Sequence, residues 1–286
     1  MKNFVKWAFF TSIGFIETVL SFFSVIFFSS FSAAVKFKGY VKKDNNSAEC
    51  FILGNGYSLK KVLDEEIEIF NNRDVFTVNL FYETSFFYKL KPTSHIIADE
   101  GFWKPTLDER IIGIQKRFSE NLLKVTWNMD LFVPNDGFKK IHEVLKSNKK
   151  INLISYNRIP VAGNKKIAHF LYKQNLGMPK PSNVLNAAIF LGLNLGYKKV
   201  YLYGADHSWI SDLFVDEDDN ICCYENHFYD NTRSSSKMAK GSLSLGLKSI
   251  ADAFDSYKLL DEYSKRHNSR IINKTKGSFI DIFDRY

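Results

Sequence analysis

From residue 48 onward, short apolar runs of strand length alternate with stretches whose apolar positions recur every three or four residues. Ala48–Leu53 reads as a strand, and Leu59–Phe70 as a helix carrying Leu59, Val62, Leu63, Ile67 and Phe70 on one face. Asp74–Asn79 and Ser94–Ala98 are a second and a third β-rich run. From Thr106 to Pro181 the pattern is less regular, with strands expected near Lys124–Trp127 and Ile151–Ile154 and helices near Phe138–Lys146 and Lys165–Lys173. Pro179 and Pro181 open a loop before Ser182-Asn183, a good N-cap pair, and Val184–Leu195 follows as an apolar helix closed by Gly196. Val200–Tyr203 reads as a buried strand, Leu245–Arg266 as an amphipathic helix and Arg270–Ile272 as a short strand. Strands alternating with crossover helices predict an α/β, Rossmann-like, doubly wound and mostly parallel sheet over residues 44–286.

Residues 1–43 follow another pattern. Between Phe4 and Val35 the only charges are Lys6 and Glu17, and the run from Val19 to Val35 is dense in phenylalanine. About 20 apolar residues cross a bilayer core, so this helical segment is expected to attach the chain to a membrane. Its apolar region is too long for a signal peptide and carries Glu17. A single spanning helix and a hairpin or in-plane anchor both fit, since Gly14 and Glu17 could mark a break. A buried soluble helix is the alternative without a membrane. Lys36, Lys38, Lys42 and Lys43 follow the apolar run and outnumber Lys2 and Lys6 before it, which places the globular part on the cytoplasmic side of the inner membrane.

Charge and cysteine content narrow the classes. Of the net charge of +8, +5 lies in residues 1–43, so the remainder carries no strongly basic surface and nucleic acid is not an expected partner. The three cysteines, Cys50, Cys222 and Cys223, form neither a disulfide framework nor a zinc-site spacing.

Candidate chemistry gathers at strand ends. In Phe51–Lys60 an apolar run stops at Gly54-Asn55-Gly56, and Ser58 sits where a helix N-cap belongs. Glycines let backbone approach a ligand closely, and a helix N-terminus favours phosphate. Ligands of doubly wound sheets bind outside the carboxyl ends of the strands. Those ends carry Asn55 and Gly56, Asn79, Asp99, then Asp206 and His207, with Tyr224, His227 and Tyr229 in the loop beyond. Asparagine can both donate to and accept from a nucleotide, although Asn and Asp more often cap helices and turns.

Three segments, Ile52–Lys60, Asp74–Tyr82 and Leu195–Asp206, resemble in the same order two related groups. One is the bacterial sialyltransferase family that decorates lipooligosaccharides; the other is the 6-hydroxymethylpterin diphosphokinase MptE-like superfamily. The similarity covers roughly residues 48–103 and 182–286. The first resemblance implies a CMP-sugar enzyme needing no cofactor, acting on a lipopolysaccharide or other lipid-linked glycan. By position Asn55 and Asn79 match nucleotide contacts, alongside Gly54, Gly56 and Ser58, while Ser182, beside Asn183, falls near a donor-binding serine. Asp99 stands where that family has asparagine. Trp209 stands near a phosphate-binding tyrosine, which passes that role to Tyr224 or Tyr229. The interval that holds the family's catalytic histidine contains His227.

Sugar transfer needs a base for the acceptor hydroxyl and donors for the departing phosphate. His227 is the expected base; His207, with its ring oriented by Asp206, is the rival. The second resemblance implies ATP on the glycine turn and Mg²⁺ held by Asp99 and Asp206. A non-catalytic, membrane-anchored nucleotide-binding module is the third reading.

Overall fold

The computed structural model describes residues 2–40, 48–225, 227–229 and 234–285; the polar stretch Lys42–Ser47, which the sequence marks as a link between the N-terminal segment and the globular domain, lies outside them. Its strands are β1 (Glu49–Leu53), β2 (Asp74–Val78), β3 (Ser94–Ile96), β4 (Met129–Pro134), β5 (Ile151–Tyr156), β6 (Lys199–Tyr203), β7 (Leu213–Val215), β8 (Ile221–Glu225), β9 (Ser234–Lys237) and β10 (Arg270–Asn273). Seven of them form one sheet in the order β10-β6-β1-β2-β3-β4-β5, and every pair in it is parallel. The chain adds β1 to β5 in one direction and then returns to place β6 on the other side of β1. The doubly wound, Rossmann-like α/β architecture is therefore present, and its switch point lies between β1 and β6. Strands β7, β8 and β9 form a separate antiparallel sheet, which the expected alternation did not contain.

Both faces of the large sheet are covered. Along β1, Cys50 and Ile52 enter one core and Phe51 and Leu53 the other, as a strand buried on both sides requires. Helices α3 (Leu59–Glu65), α4 (Ser85–Leu90), α5 (Glu109–Leu123) and α6 (Asn135–Leu145) bury Leu63, Phe87, Phe118 and Ile141 on the Phe51 side. On the other side lie α7 (Lys165–Lys173), α8 (Val184–Asn194) and α9 (Leu243–Arg266), burying Leu171, Leu185–Leu193 and Tyr257 among others. Helix α8 is apolar all round because it is enclosed all round. Asn183 caps it, exchanging hydrogen bonds with Asn186 in a capping box.

Three boundaries differ from expectation. The helix expected over Leu59–Phe70 stops at Glu65; after Glu66 (φ −135°) a 3₁₀ turn, Ile67–Phe70, buries Ile67 and Phe70 three residues apart. The strand expected near Lys124–Trp127 is a turn: Asn148 donates its amide to the carbonyls of Leu122, Leu123 and Val125, and the strand starts at Met129. The third lies before residue 43, where the chain packs on the domain. Helix α1 (Lys2–Phe28) is followed by α2 (Phe31–Lys38), which buries Ala33, Ala34 and Phe37 against the sheet. Phe37, 1% exposed, packs 6.1 Å from Phe132 of β4. The end of the supposed anchor is thus part of the core.

Truncating Phe37 to alanine is expected to cost about 3–5 kcal/mol of unfolding free energy, the range for a large aromatic removed from a packed core. Urea unfolding measures it. A fragment 44–286, lacking α2, is expected to be far less stable than the full chain; equal stability would show α2 to be dispensable.

Candidate active site

The loops following β1 and β6 press against each other at the switch point. Gly54 N–H donates to the Tyr203 carbonyl at 2.8 Å and Gly56 N–H to the Gly204 carbonyl at 2.9 Å. A Cβ at Gly54 would strike the Gly204 carbonyl, and one at Gly56 would strike the Asp206 carboxylate. Gly204 has φ +63°, a conformation glycine adopts without strain, and a Cβ there would stand 2.7 Å from that of Leu59. The glycines of this turn therefore make room for protein backbone and a carboxylate. Gly56 lines the cavity described below, while Gly54 lies beneath it.

Ser58 does not cap α3: its φ and ψ are helical and its side chain makes no capping bond. Instead its hydroxyl donates to Asp206 Oδ2 at 2.8 Å and its N–H to Asp206 Oδ1 at 3.3 Å. The N-terminus of α3, expected to receive phosphate, already holds a carboxylate. Burial raises the Asp206 pKa above the ordinary aspartate value, and the hydrogen bonds from Ser58 oppose that rise.

Over this turn lies a cavity of about 410 Å³ lined by Asn55, Gly56, Asn79, Asn183, Asp206, His207, Ser208, Trp209, Asp212, Tyr224 and His227 among others. A second, of about 260 Å³, extends over the ends of β2 and β3 and is lined by Asn55, Asn79, Asp99, Phe102, Arg110, Ile111, Ile114, His227 and Tyr229 among others. Asn55, Asn79 and His227 belong to both. The larger is lined by Asp206 and Asp212 and, among the described residues, by no lysine or arginine; the smaller has Arg110 and an apolar wall. A third, mainly apolar cavity of about 380 Å³ adjoins the first at Asn183 and Trp209, and Ser182 opens into it.

Polar atoms at these cavities lack partners among the described residues. Asn55 donates through Nδ2 to the Val78 carbonyl at 3.3 Å, but its buried Oδ1 has none. Asn183 Nδ2 and Ser182 Oγ are likewise buried and unsatisfied. Buried polar atoms are nearly always paired, so three orphans around these adjoining cavities are notable. Asn79, at φ +45°, accepts from Ala98 N–H at 3.3 Å. Asp99 caps the short turn Glu100–Phe102, accepting from Gly101 N–H at 2.7 Å, and still faces the smaller cavity.

The two candidate bases have different surroundings. His207 is 8% exposed, and its Nε2 lies 2.5 Å from the Tyr257 hydroxyl, which donates in turn to Asn183 Oδ1 at 3.2 Å. Burial lowers its pKa to about 3, so the ring is neutral near pH 7. Asp206 does not orient this ring, being committed to Ser58; the expected Asp206–His207 pair is not assembled. His227 is half-buried, stacks on Tyr229 at 5.1 Å and 2° between planes, and forms a β-bridge with Gly56. The Phe228 N–H donates to the Asn55 carbonyl at 3.1 Å, which ties this segment to the glycine turn. Tyr224 stacks on Phe214 at 4.2 Å and faces the larger cavity, whereas Tyr229 faces the smaller.

Sequence reasoning missed Arg110, Asp212 and Tyr257. Arg110 begins α5, in the stretch where periodicity was weakest, and nothing local to it signals a site. Tyr257 lies on α9, where its spacing reads as core. Asp212 accepts from the Ser208 hydroxyl at 2.6 Å in the loop beyond β6. Asp99 and Asp206 line different cavities, so the carboxylate pair expected for Mg²⁺ is not brought together. No group of three metal-ligating side chains occurs among the described residues.

No protein-family model matches the chain, and no curated protein does. The cavity's own side chains carry its chemistry, and the buried His207 makes one consequence measurable. Its ordinary pKa of 6.5 falls to about 3 on folding, so between those values the unfolded chain binds the extra proton. The stability this histidine contributes is complete above about pH 6.5 and is lost on acidification toward pH 3, at about 1.4 kcal/mol per pH unit. Buried His95, also lowered to about 3, adds a slope of the same sign. Replacing His207 with glutamine is expected to remove about one proton's worth of this slope, read from urea unfolding at several pH values below 7. Identical slopes in both chains would mean that His207 is protonated in the fold.

Proposed function

We propose that the chain is a membrane-associated glycosyltransferase moving a sugar from a nucleotide donor to a lipopolysaccharide or other glycan acceptor. The observation that carries this reading is the junction of two unlike cavities at Asn55, Asn79 and His227. The smaller suits a nucleoside monophosphate unit: Phe102, Ile111 and Ile114 can face a base, Asp99 can accept from ribose hydroxyls, and Arg110 can take phosphate. The larger suits a pyranose: Asp206, Asp212, Asn183 and Ser208 meet hydroxyls, and Trp209 offers an apolar ring face. The resemblance to sialyltransferases supports CMP as the nucleotide.

In this reading His227 accepts the proton of the acceptor hydroxyl. The acceptor oxygen forms a bond to the anomeric carbon as the bond from that carbon to the phosphate oxygen breaks. The electron pair leaves on the nucleotide, met by Arg110 and by tyrosine hydroxyls at the cavity rims. The diphosphokinase reading has less support, because Asp99 and Asp206 stand in separate cavities.

Thermal unfolding of the detergent-solubilised full chain with CMP, CDP, UDP and ATP, each with and without Mg²⁺, tests the assignment. Stabilisation by CMP without Mg²⁺ is expected; stabilisation by ATP with Mg²⁺ alone would support phosphoryl transfer instead. Arg110→Ala is expected to weaken nucleotide binding about tenfold or more, as loss of a charged hydrogen bond does. His227→Ala is expected to lower kcat about 10²–10⁴-fold while leaving donor affinity nearly unchanged. Near-normal turnover in that variant would remove His227 from the mechanism.

A further inference from the structure

Helix α1 is built inside out. Thr18, Ser21, Val25 and Ser29, spaced three and four residues apart, share the face that meets the domain. Thr18 Oγ1 accepts from Asn164 N–H at 2.7 Å, Ser21 Oγ accepts from Ala162 N–H at 2.9 Å, and the Ser29 hydroxyl donates to the Leu176 carbonyl. At the joint to α2 the Asn157 side chain accepts from Ser30 N–H at 2.8 Å and donates to the Ser30 carbonyl at 3.0 Å. The opposite face of α1 carries Ile16, Val19, Leu20, Phe23 and Phe27, all exposed, Phe27 at 72%. Helices on the surface of a soluble domain turn their apolar stripe inward. Here the polar stripe is inward, and the outer face needs an apolar medium.

The contacts of α1 also set it along the domain. Thr18 and Ser21 meet the backbone of Asn164 and Ala162, in the segment between β5 and α7. Helix α2 then turns away by 88° into the protein core. Helix α7 continues the surface: its N-cap Asn164 meets Thr18, its C-cap Gln174 meets Lys38 Nζ, and Ile167 and Phe170 are exposed. Exposed Lys36, Lys38, Lys166 and Lys173 stand on these same two elements.

We infer that α1 and the exposed stripe of α7 lie in the plane of one leaflet of an anionic bilayer, held there without crossing it, so that the start of α1 and the domain stay on the same side. Basic side chains beside an apolar face suit anionic headgroups. A second copy docked face to face would instead set those lysines against their own kind. The attachment meets Asn157, just after β5, at the carboxyl edge of the sheet that also carries the cavities. Residues 176–183 run from the Ser29 contact to Asn183 at the larger cavity. The inference rests on the membrane reading above, not on the transfer chemistry.

Flotation and labelling of the full chain test it. On vesicles of phosphatidylcholine with phosphatidylglycerol the protein is expected to float, and on pure phosphatidylcholine to float less. Phe23→Lys with Phe27→Lys is expected to lower vesicle binding about tenfold or more while thermal unfolding stays unchanged, since neither ring touches the sheet. A cysteine introduced by Asn3→Cys is expected to react with an impermeant maleimide from outside intact vesicles, above the background of the parent chain. Flotation with labelling only after lysis would overturn the in-plane arrangement but leave membrane attachment standing. Absence of flotation, or a stable dimer that binds no vesicle, would overturn both.

Discussion

Backbone meets backbone where the loops after β1 and β6 touch, and the carboxyl edge of the sheet is arranged around that contact. Gly54 and Gly56 donate to Tyr203 and Gly204, and no side chain fits between them. The contact carries Asp206 over the start of α3, where Ser58 holds it through hydroxyl and amide. It also supplies Gly56 as the partner for His227, so one turn positions both the fixed carboxylate and the histidine that stands between the two cavities. A side chain at residue 56 would therefore first displace Asp206 and only secondarily narrow a ligand site.

Burial then separates groups that look alike on paper. His207 and His227 both line the larger cavity, yet His207 is sealed beneath Trp209 and Tyr257 and kept neutral, whereas His227 is half-buried at the cavity junction. The same division applies to charge. Asp206 and Asp212 line the larger cavity, while Arg110 and Asp99 line the smaller, and Asp206 already occupies the helix N-terminus.

The N-terminal segment obeys the opposite rule from the rest of the chain. Elsewhere apolar faces turn inward; in α1 serine and threonine turn inward and phenylalanine outward. Helix α2, only two residues further on, returns to the ordinary rule and buries Phe37 under the sheet. The bent joint between α1 and α2 therefore connects a helix with an exposed apolar face directly to the core, not through a tether.

Much of the architecture was legible in the sequence because strand runs and helical periods are local signals. β1, β2, β6, α8 and β10 fall within a residue or two of where the pattern of apolar positions puts them. The candidate site was legible as a set of strand-end residues, since a parallel sheet gathers its carboxyl ends whatever their separation in sequence. Three things depended on tertiary structure. Ser58 has the residue type of a cap, but its hydroxyl is claimed by a carboxylate 148 positions away, a competition invisible to local pattern. Arg110 carries no motif and becomes a site residue only because α5 starts beside the end of β3. The apolar run before residue 40 is equally consistent with a spanning helix and a surface helix, because hydropathy records how much apolar surface there is and not which way it faces. The contacts of Thr18, Ser21 and Ser29 with a distant loop decide that direction.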